Sequence, residues 1–464
     1  MGIPMVMRRS TRSTFSCLAL VLMLTSCAWR SYSPAPLDLE DAERMHLSRR
    51  LTDDKVRDAL IAHSQEVGEW PTIQWSREKL MHAMWAIHPE QRTAVAEWAH
   101  AMTVIQASLQ ASPPEINTTL EHHSQTGSGL SSPWAVGAGL QWEWLDVSVK
   151  KAMTDLAGVK TETAKLSLGE TTWRLYQAMG QALLERQICL SRQALVLQGL
   201  ELAKARQSSV QVRERFGVAT ALEIQSTAQR LSEAKREVAE VEVACVMAQT
   251  QLAEALSVSV DSLTDLQWES WPVLTLPTAE QARRTALTHR LDLAKKRAEY
   301  QLAESELQFE VAKQYPSLRL APGVLWSQGD AIWQFSLALP AALMNRNHSA
   351  IEVATAKRNL QAQRVYAKQS DIIGEVESLR LRSVSLVQPL SMAEAAQQEA
   401  KAQLNLLSAQ FDAGQIDTLT LLEGKQQWLL ASRAVLEAQS ALQRASWALE
   451  QALQIPLPIV KPNE

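Results

Sequence analysis

Along the last long stretch of the chain, Gly414 to Ala452, an apolar residue returns at every seventh position: Leu421, Trp428, Val435, Leu442 and Leu449. Three places after each stands a small residue, Gly424, Ala431, Ala438, Ala445 and Ala452. Large and small residues alternating along one seam admit a neighbouring helix at close range over about five heptads, the pattern of a tightly packed coiled coil. The pattern occurs 197 residues earlier as Ile224, Leu231, Val238, Cys245 and Leu252 with Thr227, Ala234, Val241, Ala248 and Ala255. The chain is therefore a tandem repeat of two halves.

Seven-residue spacing marks two longer seams. In the first half Leu168, Leu175, Ala182, Cys189, Val196, Ala203 and Val210 predict a helix over 145–215. At 1.5 Å per residue it is about 105 Å long, more than one globular core encloses. Gly217 predicts a turn, and a return helix follows over 219–256. In the second half Val365, Ile372, Leu379, Leu386, Ala393, Ala400 and Leu407 predict a helix over 345–411, with a local kink at Pro389, and Gly414 turns the chain into a helix over 417–454. Two shorter helices nearly match each long one in summed length: 76–111, interrupted at Pro89, plus the first return helix, and 279–313 plus the second. They are expected to stack end to end along it. Residues 27–75 read as an extended start, a helix near Leu39 to Val67 and a linker, and a connector with Trp268, Trp271, Pro272 and Pro277 closes the first half.

Period-two alternation predicts strands over 115–124, 133–144, 317–326 and 331–340. In the second, Trp134, Val136, Ala138, Leu140, Trp142 and Trp144 share one face against Ala135, Gly137, Gly139, Gln141 and Glu143; in the fourth, Trp333, Phe335, Leu337 and Leu339 oppose Ile332, Gln334, Ser336 and Ala338. About ten residues with an apolar, Trp-bearing face and a small or polar reverse fit a membrane barrel strand, whose sides meet lipid and lumen. A half-buried hairpin of a soluble sheet shows the same alternation. The predicted fold class is mainly α with a small β part: two repeats, 76–278 and 279–455, each a hairpin of strands on a long helical pair, then a short tail, 456–464.

Charge and composition narrow the classes. A net charge of −4 without a basic block leaves no electrostatic footprint for nucleic acid. Trp (15) outnumbers Tyr (5) and Phe (5), and many of the Trp residues lie outside the heptads. At the N-terminus Arg8, Arg9 and Arg12 precede an apolar run from Cys17 to Leu24 and then Thr25-Ser26-Cys27. This resembles a lipoprotein export signal over 1–26, cleaved before Cys27 so that its thiol is acylated; Ala28 rather than Asp resembles lipoproteins sorted to the outer membrane. An ordinary signal with an incidental Cys is the alternative. No later stretch reaches the ~20 apolar residues of a membrane-spanning helix, so any bilayer entry is through strands.

Candidate chemistry is sparse. Phosphate-binding, zinc-protease, Cys-x-x-Cys and nucleophile-elbow motifs are absent, so no enzyme and no cofactor are expected. His82, His88 and His100 stand at spacings that put them on different helical faces, and at most one of His122 and His123 meets a lumen.

Phe216-Gly217-Val218-Ala219-Thr220-Ala221-Leu222-Glu223-Ile224 and Phe411-Asp412-Ala413-Gly414-Gln415-Ile416-Asp417-Thr418-Leu419, each before a Gln-containing helix, resemble the TolC-like outer-membrane efflux protein family. His289-Arg290-Leu291-Asp292-Leu293, its counterpart His88-Pro89-Glu90, and Trp142-Glu143-Trp144-Leu145-Asp146 add to the resemblance, which covers nearly the whole mature chain. It implies a homotrimer with a twelve-stranded outer-membrane barrel above a periplasmic helical tunnel. It also implies a periplasmic adaptor (membrane fusion) protein and an inner-membrane pump as partners. The family's constriction lies near the turns at Gly217 and Gly414. Glu423 matches one of its acidic positions and Glu223 the related position in the first half, so three copies of each would form a cation-binding ring with raised carboxylate pKa values. A solvated Glu on an amphipathic helix is the plain alternative. Thr420, Ile416 and Glu214 depart from the family pattern, so the gate is expected to be held differently here.

Cys189 and Cys245 each lie 28 residues from Gly217 on opposite arms of the hairpin, both at seam positions, and in an oxidising compartment this makes them a candidate disulfide. The usual interhelical spacing of about 8–10 Å argues against the bridge, and two small buried apolar residues are the alternative. The expectation for function is a passive exit duct of a tripartite efflux system. A type I protein-secretion duct and a lipid-anchored periplasmic scaffold without a pore are the alternatives.

Overall fold

The computed structural model of the chain describes residues 32–63, 70–72, 74–110, 113–122, 133–144, 147–264, 266–269, 271, 274–314, 318–327, 330–338 and 346–457. The expected signal with Cys27, Val67, the strand residues 123–124, 317 and 339–340 and most of the expected tail, 458–464, lie outside them. The chain divides into two units after Ser48. The first contributes α1 (Leu39–Ser48), which buries none of its residues. A single helix near Leu39 to Val67 is not what forms: residues 49–53 interrupt it, and α2 (Asp54–Ala62) starts afresh. The interruption has a local cause. The Arg50 N–H donates to the Asp53 carboxylate, a side-chain substitute for helical bonding, while Leu51 goes into the core.

In the first half of the second unit come α3 (Arg77–Ile87), α4 (Pro89–Ser108), β2 (Glu115–His122), β3 (Trp134–Trp144), α5 (Val147–Arg215) and α6 (Ala221–Leu256). The second half has α7 (Ala279–His289), α8 (Leu291–Ala312), β5 (Leu318–Ser327), β6 (Asp330–Ala338), α9 (His348–Ser385), α10 (Val387–Asp412) and α11 (Thr418–Leu453). Two-residue strands β1 (Gln74–Trp75) and β4 (Gln267–Trp268) pair in parallel beside the core. α5 has 69 residues, a rod of about 104 Å. It is flanked by α4 toward the strands and α6 toward the turn, and the rod α9–α10 is flanked by α8 and α11 in the same way. α8 and α11 also pack on α5, which joins the halves.

The seam read from the sequence is the buried side of α6. Thr227, Leu231, Val241, Cys245, Ala248 and Leu252 are buried, and Ile224, Ala234, Val238 and Ala255 are half-buried. The second long helix is not merely kinked: it ends at Ser385 and restarts at Val387, with Leu386 between. Pro389 has no N–H for Ser385 and would clash with its carbonyl. In the restarted helix it stands in the first turn, where no intrahelical N–H bond is required.

β2, β3, β5 and β6 form one antiparallel sheet in that order. Its register puts Ile116, Leu120, Val136, Leu140, Trp142, Leu320, Val324, Trp326, Trp333, Phe335 and Leu337 on one face. Glu115, Asn117, Thr119, Glu121, Gly137, Gly139, Gln141, Glu143, Arg319, Gly323, Gln334 and Ser336 take the other. At Gly139 and Gly323 the two backbones approach so closely that a Cβ on Gly323 would lie 3.3 Å from the Gly139 Cα.

The main core sits where the short helices end. Leu51, Val56, Leu60, Trp75, Leu80, Met84, Met179, Leu183, Leu184, Leu252 and Leu256 are buried there, with Trp271 and Trp447. The Trp447 ring packs against Gly180, where a Cβ would fall 2.2 Å from its Cζ2. Beside it the fully buried Glu450 accepts hydrogen bonds from Arg77 and Tyr176, and Arg77 stands between the rings of Trp271 and Trp447, 5.5 Å from each.

Candidate functional site

The two helical turns are built alike. Gly217 and Gly414 take φ of +72° and +71°, the left-handed conformation that glycine adopts without steric cost. Each closes its helix with a backbone bond six residues wide, Val218 N–H to the Arg213 carbonyl at 3.0 Å and Gln415 N–H to the Gln410 carbonyl at 2.8 Å. The next helices are then capped. The Thr220 hydroxyl accepts from Glu223 N–H while the Glu223 carboxylate accepts from Thr220 N–H, and Asp417 accepts from Thr420 N–H. The tip of the first hairpin leaves Phe216, Val218 and Leu222 exposed.

The two candidate gate carboxylates have different surroundings. Glu223 is engaged in its own capping box and faces Arg213 at 3.4 Å. Hydrogen bonds from the Thr220 backbone and hydroxyl, with the charges of Arg213 and Arg206, hold its carboxyl below the usual carboxylate range in the single chain, opposite to the rise expected for a crowded ring. Glu423 pairs with Arg206 of α5 at 3.2 Å. Arg206 therefore stands between the two carboxylates. Arg213, seven residues on and so on the same side of α5, faces Glu223 and also acts on Asp417. Sequence reasoning missed both arginines, although their heptad spacing was a usable signal.

Above the tip, two further pairs bind α11 to the first hairpin: Arg433 to Glu237 at 3.0 and 3.1 Å, and Arg444 to Glu185 at 2.7 and 2.6 Å. Between the hairpins lies a cavity of about 960 Å³, lined among others by Arg206, Arg230, Glu237, Glu423 and Arg433. Cys189 and Cys245 are bonded, with Cα atoms 5.5 Å apart. The usual spacing of about 8–10 Å is measured between helix axes, and Cα atoms about 2.3 Å from each axis bring facing residues within reach of a bridge, so the spacing does not oppose it. Of the candidate histidines, His82 stacks on His63, His88 caps α4 by accepting from Glu90 N–H, and His122 lies against Trp134 on the apolar face of the sheet; His123 is outside the described residues. Among the described residues no three His, Cys, Asp or Glu converge as metal ligands, and no helix is long and apolar enough to cross a membrane.

The chain is built of paired helical rods about 100 Å long that carry a four-stranded sheet with one apolar face. Residues 282–453 match the family described as outer membrane efflux protein. The chain is similar to the outer membrane protein VceC from Vibrio cholerae, at 16% identity over 81% of this chain and 95% of that one, with a TM-score of 0.65. It is also similar to the Campylobacter jejuni outer membrane channel CmeC, at 12% identity over 98% and 93%, with a TM-score of 0.62. The open-state Neisseria gonorrhoeae outer membrane channel MtrE matches at 17% identity over 82% and 89%, with a TM-score of 0.59. No curated protein sequence matches the chain. The chain thus has the fold of these channels, and within its second repeat residues 282–453 match the outer membrane efflux protein family.

Proposed function

We propose that this protein is the outer-membrane duct of a tripartite efflux system, a passive homotrimer that passes small molecules to the exterior. One observation carries the reading. The four-stranded sheet has an apolar face with Trp134 and Trp326 toward one end and Trp142 toward the other, and among the described residues its outer strands β2 and β6 have no further partner strand. Unpaired edges are excluded from lipid, so the sheet requires further copies, and three would close twelve strands. Trp at both ends of an apolar band is the arrangement that places aromatic rings at the two membrane interfaces.

Below the membrane the helical rods continue as the wall of a tunnel. Acylation of Cys27 anchors the chain to the outer membrane. The exposed Phe216, Val218 and Leu222 at the tip offer an apolar docking point for a periplasmic adaptor, which links the duct to an inner-membrane pump. Energy comes from that pump. Glu423, held by Arg206, is the carboxylate that opening at the tip would release.

Single-channel recording of the detergent-extracted protein in a planar bilayer, beside its mass in detergent, tests the proposal. Discrete openings from a trimer are expected. A monomer that attaches to bilayers without conducting would replace the duct with a lipid-anchored scaffold.

A further inference from the structure

Three features of the rods lie at one level, about 26–33 residues from the turns, or roughly 40–50 Å above the tip. One is the Cys189–Cys245 bridge. The second is the break in the second rod at Leu386. The third is a pair of exposed apolar patches. On α6, Val243, Val246 and Met247 are 61%, 63% and 59% exposed, on the side turned away from the buried seam of Val241, Cys245 and Ala248. On the second rod, Leu381 and Val384 of α9 and Val387 of α10 are 52%, 45% and 47% exposed, straddling the break. Among the described residues nothing covers either patch.

The order of elements says what covers them. In the sheet the sequence is β2-β3-β5-β6, so the first half owns one edge and the second half the other. Below, α6 packs on α5, α5 on α11 and α11 on α10, so α6 is the flank of the first half and α9–α10 the flank of the second. Sheet and rods thus have the same lateral order. A copy whose β2 pairs with β6 of its neighbour brings its own α6 alongside the neighbour's α9–α10, and the two patches stand at matching heights.

We infer that Val243, Val246 and Met247 of one copy pack on Leu381, Val384 and Val387 of a second copy, forming an apolar collar between protomers about 40 Å above the tip. The inference rests on the trimeric duct proposed above and adds where its tunnel walls are joined. The bridge holds α6 to α5 at the level of the collar, so the contact unites whole hairpins rather than single helices. Only the arms below it, paired across the hairpins by Arg206–Glu423 and Arg433–Glu237, are then free to part.

The test is cross-linking of the full-length V246C/V384C protein with a short bismaleimide, keeping the native bridge oxidised, alongside each single variant. Covalent species up to three chains are expected on a denaturing gel from the double variant, at least tenfold above either single variant. A trimer of unchanged mass and conductance that yields no such species would overturn the collar while leaving the duct intact; a monomer in detergent would overturn both. As a second measurement, V243D/V246D should lower the temperature at which the trimer dissociates by 5 °C or more, with helical content retained. Unchanged dissociation would also overturn the collar.

Discussion

At the scale of single residues, the fold depends on a few side chains whose neighbours leave little room for substitution. Asp292 receives both Arg290 and Lys368, at 2.7 Å each. Burial pushes its carboxyl up, but these hydrogen bonds and charges prevail and bring it down to about 2. A carboxylate whose folded pKa is depressed contributes stability above its unfolded value and loses it as pH falls through the folded one. Unfolding experiments should therefore show about 1–2 kcal/mol disappearing between pH 4 and pH 2, allowing for partial solvent screening, and Asp292→Asn should abolish that step. Gly180 is a second such place. Gly180→Ala puts a methyl where the Trp447 ring lies, and should cost about 1–3 kcal/mol, much of it recovered by pairing it with Trp447→Leu. The motif His289 to Leu293 marked Arg290 and Asp292 in the sequence but not their distant partner Lys368, and nothing marked Gly180. Gly180 sits inside an unbroken helical pattern, and its partner comes from the other end of the chain. The same holds for Ser257 and Gln454, which end α6 and α11 in the left-handed conformation without being glycine.

At the scale of elements, the sequence was most readable where one physical demand repeated. The seven-residue columns of α6 correspond to its buried side, and the alternation in β3 and β6 corresponds to the two faces of the sheet, because each pattern reports a single partner surface. It was least readable where demands competed. Residues 49–53 carry helix-compatible composition, but the burial of Leu51 and the Asp53 bond interrupt the helix there. At Pro389 the expected disturbance was placed correctly along the chain, yet the result is a restart at Val387 rather than a bend. The bridge between Cys189 and Cys245 closes a loop across the α5–α6 hairpin. Replacing both with Ser should lower hairpin stability by about 2–4 kcal/mol in denaturant titrations under non-reducing conditions, and peptide mapping of exported protein should recover the two cysteines linked; free thiols at both would remove the bridge from the account.

At the scale of the whole molecule, the arginine–glutamate pairs lie at successive heights and share one helix. Arg444–Glu185, Arg433–Glu237 and Arg206–Glu423 all tie α11 to α5 or α6. Arg444–Glu185 lies just above the level of the bridge, so parting the arms below it breaks only the lower two pairs, and the lowest, Arg206–Glu423, is the most exposed on its acidic side. An exposed pair is individually weak, so loss of this one should leave the fold intact and shift only the balance between closed and open tips. In planar bilayers Glu423→Gln or Arg206→Gln should raise the time spent conducting several-fold at unchanged trimer mass, and high salt should raise it in the native protein by screening the same charges. Glu223→Gln should differ. Its carboxylate caps the helix that starts at Ala221, so its loss frays that helix start without freeing α11. If both glutamines open the duct equally, the tip is held by a ring of carboxylates; if only the Glu423 variant does, it is held by the pair with Arg206.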